Sequence, residues 1–287
     1  MKANLNWRRD HRLWIEIFVL LNLAGLAPDI YLAHSTNSFR HPAEYAPLIF
    51  SLAAPIALWL ALAFLKMERP AWWRILGHAV GWMAVAVGVA GLILHLESQF
   101  FQERTLASLV YSAPFAAPLA YTGLGLLLIM NRMVPPESME WPLWVLLLAL
   151  GGFAGNFVFS LTDHAENGFF HRTEWIPVVS SAFAVGFLAA PLIMRIGRAY
   201  LLVCASVMAV QAAAGVLGFY FHLAANIRAS GASLFDKLVH GAPVLAPLLF
   251  PDLVLLAFIG LWILHQHAPA PAEPTQAHSA HAPAPTP

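Results

Sequence analysis

Charged side chains are scarce in this chain: Asp, Glu, Lys and Arg make up 10% of its 287 residues. A water-soluble domain carries about 25%. With 60% hydrophobic residues and a mean hydropathy of +0.68, there is too little polar material here to clothe one. Neither sign is in excess. Lys and Arg number 15, as do Asp and Glu, for a formal net charge of zero, which excludes the basic footprint of a nucleic-acid binder. Cysteine is nearly absent: Cys204 alone excludes an intrachain disulfide and leaves the redox compartment unmarked.

What the chain has in abundance is long apolar runs. A stretch of about 20 apolar residues crosses a hydrocarbon layer of about 30 Å. Such stretches fall at 13–33, 46–65, 75–96, 106–130, 141–162, 175–196, 199–223 and 242–264. The fold class expected is therefore all-α: a polytopic integral membrane protein with eight transmembrane helices and the lipid bilayer as its main partner. Between 175 and 223 only Arg195, Gly197 and Arg198 mark a turn. The N-terminal basic cluster followed by an apolar run is read as a retained first helix rather than a cleaved signal.

An even number of spans puts both termini on one side. Lys2, Arg8, Arg9, Arg12, Lys66, Arg69, Arg74, Arg132, Arg195 and Arg198 fall on that side, against Arg40, Arg104, Arg172, Arg228 and Lys237 opposite. The bias places both termini in the cytoplasm and the chain in the inner membrane.

The most informative pattern is a polar cassette written twice. His34 to Pro47 and His164 to Pro177 both read H-x-x-N-[S/G]-F-x-H-x-x-E-[Y/W]-x-P, 130 residues apart. Gly91-x-x-x-His95 recurs as Gly218-x-x-x-His222. Ala113-Pro114-x-x-Ala117-Pro118-Leu119 recurs as Ala242-Pro243-x-x-Ala246-Pro247-Leu248. The expected organisation is two tandem four-helix repeats, 1–133 and 134–264, parallel in the membrane and related by a pseudo-twofold axis along its normal. Residues 265–287, rich in Pro, Ala and His, form a disordered cytoplasmic tail.

The spans place His34, His95, His164 and His222 at the non-cytoplasmic ends of odd-numbered helices, with His41, Glu44, Glu97, Glu166, His171 and Glu174 in or beside the adjoining loops. Asp29, Asp163 and Asp236 join the acidic residues at that end and make it net negative. Imidazole with carboxylate is the ligand set of zinc, copper, iron or manganese, whereas calcium and magnesium take oxygen alone. The metal ligands expected are thus His34, His41, Glu44, His95, Glu97, His164, Glu166, His171, Glu174 and His222, in two equivalent sites or one shared at the interface of the halves. Where the halves differ, the second is richer, with Asp163 and Glu166 opposite Ala33 and Thr36. Its His222 is followed by Asn226, and His240 stands opposite Tyr111. Plainer roles stand beside these. Polar residues collect at any membrane interface, Glu44 and Glu174 suit helix N-termini, and Asn37-Ser38 and Asn167-Gly168 suit turns.

Asp252 lies mid-helix, where ionisable groups mark function or pair with a neighbour such as Asn22, Asn156 or Gln211. His78 is read as structural. The paired prolines of A-P-x-x-A-P-L are expected to kink the helices that contain them. Three functions remain open: a metal-dependent membrane enzyme or metal-handling protein; a cytochrome with haem clamped by His34/His164 or His95/His222; and a proton- or ion-coupled transporter using Asp252. A homo-oligomer or a membrane-protein partner is compatible with each.

Overall fold

The computed structural model describes residues 10–67, 69–230 and 233–267. Lys2, Arg8, Arg9 and the tail histidines His278 and His281 lie outside them. Among the described residues every regular element is helical. Eleven α-helices run in chain order: α1 (His11–Ser35), α2 (Tyr45–Lys66), α3 (Pro70–Glu97), α4 (Phe100–Glu103), α5 (Leu106–Val110), α6 (Leu119–Met133), α7 (Glu140–Glu166), α8 (Trp175–Ile193), α9 (Arg198–Arg228), α10 (Leu234–His240) and α11 (Leu249–His267). Short 3-10 turns, Pro42–Glu44, Arg172–Glu174 and Ala246–Leu248, lead into α2, α8 and α11.

Among the described residues, seven segments are long and apolar enough to cross a membrane: α1, α2 with its turn, α3, α7, α8 with its turn, α9, and α11 with its turn. The remaining expected span, 106–130, is broken. Its helix α6 has 15 residues, about 22 Å at ~1.5 Å per residue. The break expected between 175 and 223 lies where Arg195, Gly197 and Arg198 mark it, with Gly197 capping α9. At the C-terminal end α11 continues to His267, so His265 and His267 belong to a helix rather than to the tail.

Lipid-facing and packed surfaces alternate with helical period. On α2, Ile49, Leu52, Ile56 and Trp59 are exposed while Ser51, Ala54, Leu58 and Ala61 are buried. This apolar outside is what a bilayer requires, since in lipid the outward face need not be polar. The same positions recur 130 residues later in α8, where Ser181, Ala184 and Leu188 are buried. Likewise Ile15, Val19 and Leu23 of α1 correspond to Val145, Ala149 and Phe153 of α7. Helix neighbours follow suit. Helix α2 packs against α1 and α3, with α6 closing on α1 and α3; α8 packs against α7 and α9, with α11 closing on α7 and α9. Contacts of α6 with α7 and of α1 with α11 join the two sets.

The A-P-x-x-A-P-L segments do not kink helices. Pro114 and Pro118 lie in a turn that precedes α6, and Pro243 and Pro247 lie before or within the 3-10 turn that starts α11. A proline at a helix start loses no intrahelical bond. Among the described residues, the prolines inside helices beyond the first turn are Pro28, Pro55 and Pro191. Glycine makes room for the segments: a Cβ at Gly91 would lie 2.8 Å from Pro118 Cβ, and one at Gly218 would lie 3.0 Å from Pro247 Cβ.

Polar contacts also lie within the bundle. Arg132 of α6 makes a bidentate pair with Glu16 of α1, with Nη1–Oε1 at 2.8 Å and Nη2–Oε2 at 2.9 Å, and their side chains are 0% and 2% exposed. Asn131 donates to Glu16 and to the Arg12 carbonyl and accepts from the Trp141 indole. The guanidinium lies over the Trp73 ring, and a Cβ at Gly77 would overlap it. Across α1 and α11, Asn22 Nδ2 donates to Asp252 Oδ1 at 2.9 Å.

Candidate functional site

Several letters of the cassette have a structural task. Helix α1 ends after His34, where Phe39 N–H bonds the His34 carbonyl at 3.0 Å. In α7 the Phe169 N–H bonds the His164 carbonyl at 2.9 Å. Both turns use left-handed backbone: Ser38 and Phe39 have φ of 60° and 51°, Gly168 and Phe169 of 66° and 52°. Such values are uncommon for a bulky residue, and ring stacking accompanies them. Phe39 lies on Tyr45 at 4.7 Å between centroids, and Phe169 on Trp175 at 4.0 Å. The turn brings the cassette glutamate back beneath its histidine. Glu44 Oε2 lies 3.6 Å from His34 Nδ1, and Glu174 Oε2 lies 3.9 Å from His164 Nδ1.

A second histidine meets each of these from α3 or α9. The His34 and His95 rings stand 6.2 Å apart, edge to face; His164 and His222 stand 6.4 Å apart in the same way. His95 Nδ1 bonds the Pro114 carbonyl at 2.9 Å, and His222 Nδ1 bonds the Pro243 carbonyl at 2.8 Å. A carbonyl can only accept, so Nδ1 carries the proton in both rings and Nε2 keeps its lone pair. This is the arrangement in which a backbone carbonyl orients an imidazole ligand. The rings that meet belong to one half each: they pair as His34/His95 and His164/His222.

Both glutamates have an oxygen with nothing to bond. Oε1 of Glu44 accepts from Asn37 Nδ2 at 2.9 Å, and Oε1 of Glu174 accepts from the His171 N–H at 3.2 Å. Oε2 of each is buried without a hydrogen-bond partner. A gap of 3.6–3.9 Å to imidazole nitrogen is too long for a hydrogen bond. Two ligand atoms that share an ion at about 2.0–2.2 Å are separated by a similar distance. Among the described residues, however, no three His, Cys, Asp or Glu side chains are already gathered closely enough to hold a metal ion.

The structure therefore brings together His34, Glu44 and His95, and separately His164, Glu174 and His222. It leaves Glu97 and Glu166 exposed at the ends of α3 and α7, and His41 exposed before its 3-10 turn. His171 is also exposed, against Phe170. His222 lies within α9, six residues before its last, rather than at its end. His240 pairs with Asp236 at 3.1 Å. Asn226 bonds Ala242 through both its N–H and its carbonyl, a brace for the loop before α11.

No family, curated protein or solved structure matches this chain. The site's chemistry rests on its own geometry.

The second trio borders open space. A cavity of about 550 Å³ adjoins the second trio, lined only by residues between Asn156 and Phe250. His164, Glu174 and His222 lie on its wall with Asp163 and His171. Sequence reasoning passed over Asn156 as part of this site. The signal that could have found it is its spacing, two turns before His164 on the same face of α7.

Proposed function

We propose that this chain is a membrane metalloprotein built as two tandem four-helix repeats that cross the bilayer eight times, with one transition-metal site in each repeat. The ligands are His34 Nδ1, Glu44 Oε2 and His95 Nε2 in the first, and His164 Nδ1, Glu174 Oε2 and His222 Nε2 in the second. The observation that carries the reading is the orphaned, buried glutamate oxygen beside a histidine nitrogen, present at both copies of the cassette. Leaving such an acceptor unpaired costs about 1–3 kcal/mol, and an ion between it and the imidazole removes that cost. The second histidine completes the set by a side-chain movement toward Glu44 or Glu174.

Two imidazoles and one carboxylate suit zinc, copper, iron or manganese, and three protein ligands keep coordination positions for an outside molecule. The matching buried faces and helix neighbours of the halves support the duplication. Helix α6 with the proline turn before it makes the eighth crossing, because non-helical backbone is tolerated at membrane depth where protein surrounds it. The charge bias supports an inner-membrane location with both termini cytoplasmic and both sites at the opposite face.

The test is elemental analysis of protein purified without chelators, with an absorption spectrum of the same sample. The reading expects up to two equivalents of one transition metal and no Soret band. Glu44→Ala and Glu174→Ala should each remove one equivalent. Absence of stoichiometric metal, or unchanged content in both variants, overturns it.

A further inference from the structure

The second half holds a deep polar group that no metal at its cassette end explains. Asn156 is 6% exposed and faces the cavity, yet its Nδ2 has no hydrogen-bond partner. It precedes His164 by eight residues on α7, about 12 Å along the axis at ~1.5 Å per residue, too far to ligate an ion there. The first half has Leu26 at this position and Ala33 opposite Asp163, so a donor at this position is peculiar to the second half.

The lining selects the occupant. Nδ2 offers protons, which repels a cation and calls for an acceptor. Asp163 and Glu174 on the same wall disfavour an anion. Phe159, Phe221 and Phe250 supply flat apolar walls, against which an aromatic or quinoid ring packs well. A volume of about 550 Å³ lies in the range of small-molecule sites, ~300–1,000 Å³. A neutral ring molecule with a carbonyl oxygen meets all of these conditions, and solubility in lipid brings it to a site among membrane helices.

We propose that the cavity of the second half is a binding pocket for a neutral, lipid-soluble carbonyl compound of the quinone type, with a carbonyl oxygen accepting from Asn156 Nδ2. The pocket stands on the cavity and on Asn156 and does not require the metal. Equilibrium binding of a labelled decyl-benzoquinone to the full chain in nanodiscs tests it, with empty nanodiscs subtracted and metal content measured on each sample. One saturable site per chain is expected. Asn156→Leu should weaken binding at least tenfold, Asn156→Gln should keep it within about threefold, and Leu26→Asn should leave it unchanged. Ser160→Leu, one turn along the same wall, serves as a second blocking variant should Asn156→Leu fail to fold. No saturable binding, or equal binding by the blocking variants, overturns the pocket. Binding without metal would overturn the metal sites alone, and metal without binding would overturn the pocket alone.

Discussion

Removing Glu16 should be far more harmful than removing Glu16 and Arg132 together. Glu16→Leu leaves a guanidinium whose side chain is 0% exposed and which has lost both carboxylate oxygens. Two charge-assisted bonds at ~1.5–3 kcal/mol each give a loss of about 3–6 kcal/mol, in line with the ~3–5 kcal/mol typical of breaking a buried pair. The Leu128 and Trp73 carbonyls still face Arg132, but neither neutralises its charge. In Glu16→Leu/Arg132→Leu no charge remains to be desolvated. Asn131 keeps the Arg12 carbonyl as a partner, so this variant should lie within about 2 kcal/mol of the unaltered chain. Reversible unfolding in mixed micelles, followed by far-ultraviolet circular dichroism, yields the double-mutant cycle. If the double variant loses the sum of the two single losses, the pair is not coupled and the account of this part of the bundle fails.

Other substitutions probe other contacts. A Cβ at Gly215 would come within 2.5 Å of Pro251 Cδ and 2.6 Å of the Pro247 carbonyl. Gly215→Ala should therefore cost about 1–3 kcal/mol by overpacking, whereas Gly155→Ala, with open space around it, should not lower the melting temperature. Asp252→Asn keeps an oxygen for Asn22 and should preserve stability; Asn22→Leu orphans Asp252 and should cost about 1–3 kcal/mol in the same unfolding assay. A strict requirement for the Asp252 carboxylate in proton-coupled uptake would point to transport instead. Since imidazole must be deprotonated to ligate, acidification should release bound metal, and retention of full metal content at pH 4 would contradict histidine ligation.

Helical class and most span positions were legible because membrane helices announce themselves by length and apolarity. Span 106–130 is less regular than its composition suggests, because composition does not reveal that Ala113 to Pro118 is a turn. Prolines that looked like interruptions of a helix stand at its entrance. The cassette residues His34, Glu44, His164 and Glu174 were legible by repetition, and so were His95 and His222. Their pairing was not, since it depends on how α3 lies on α1 and α9 on α7. Glu97 and Glu166 attracted attention by type and proximity in sequence, but each is the exposed last residue of its helix. Glu16 was silent for a related reason: one carboxylate in an apolar run becomes meaningful only when Arg132, 116 positions later, is seen beside it.

The bond from His95 to Pro114, and its counterpart from His222 to Pro243, ties each ring to the stretch of chain that opens α6 or α11. Replacing either histidine would free a carbonyl, so its loss would be felt as slackened architecture whatever chemistry the ring supplies. Glu44 and Glu174 carry no such tether through Oε2. Each holds its turn through Oε1, so Oε2 is the atom whose loss, as in Glu44→Gln or Glu174→Gln, should disturb the scaffold least.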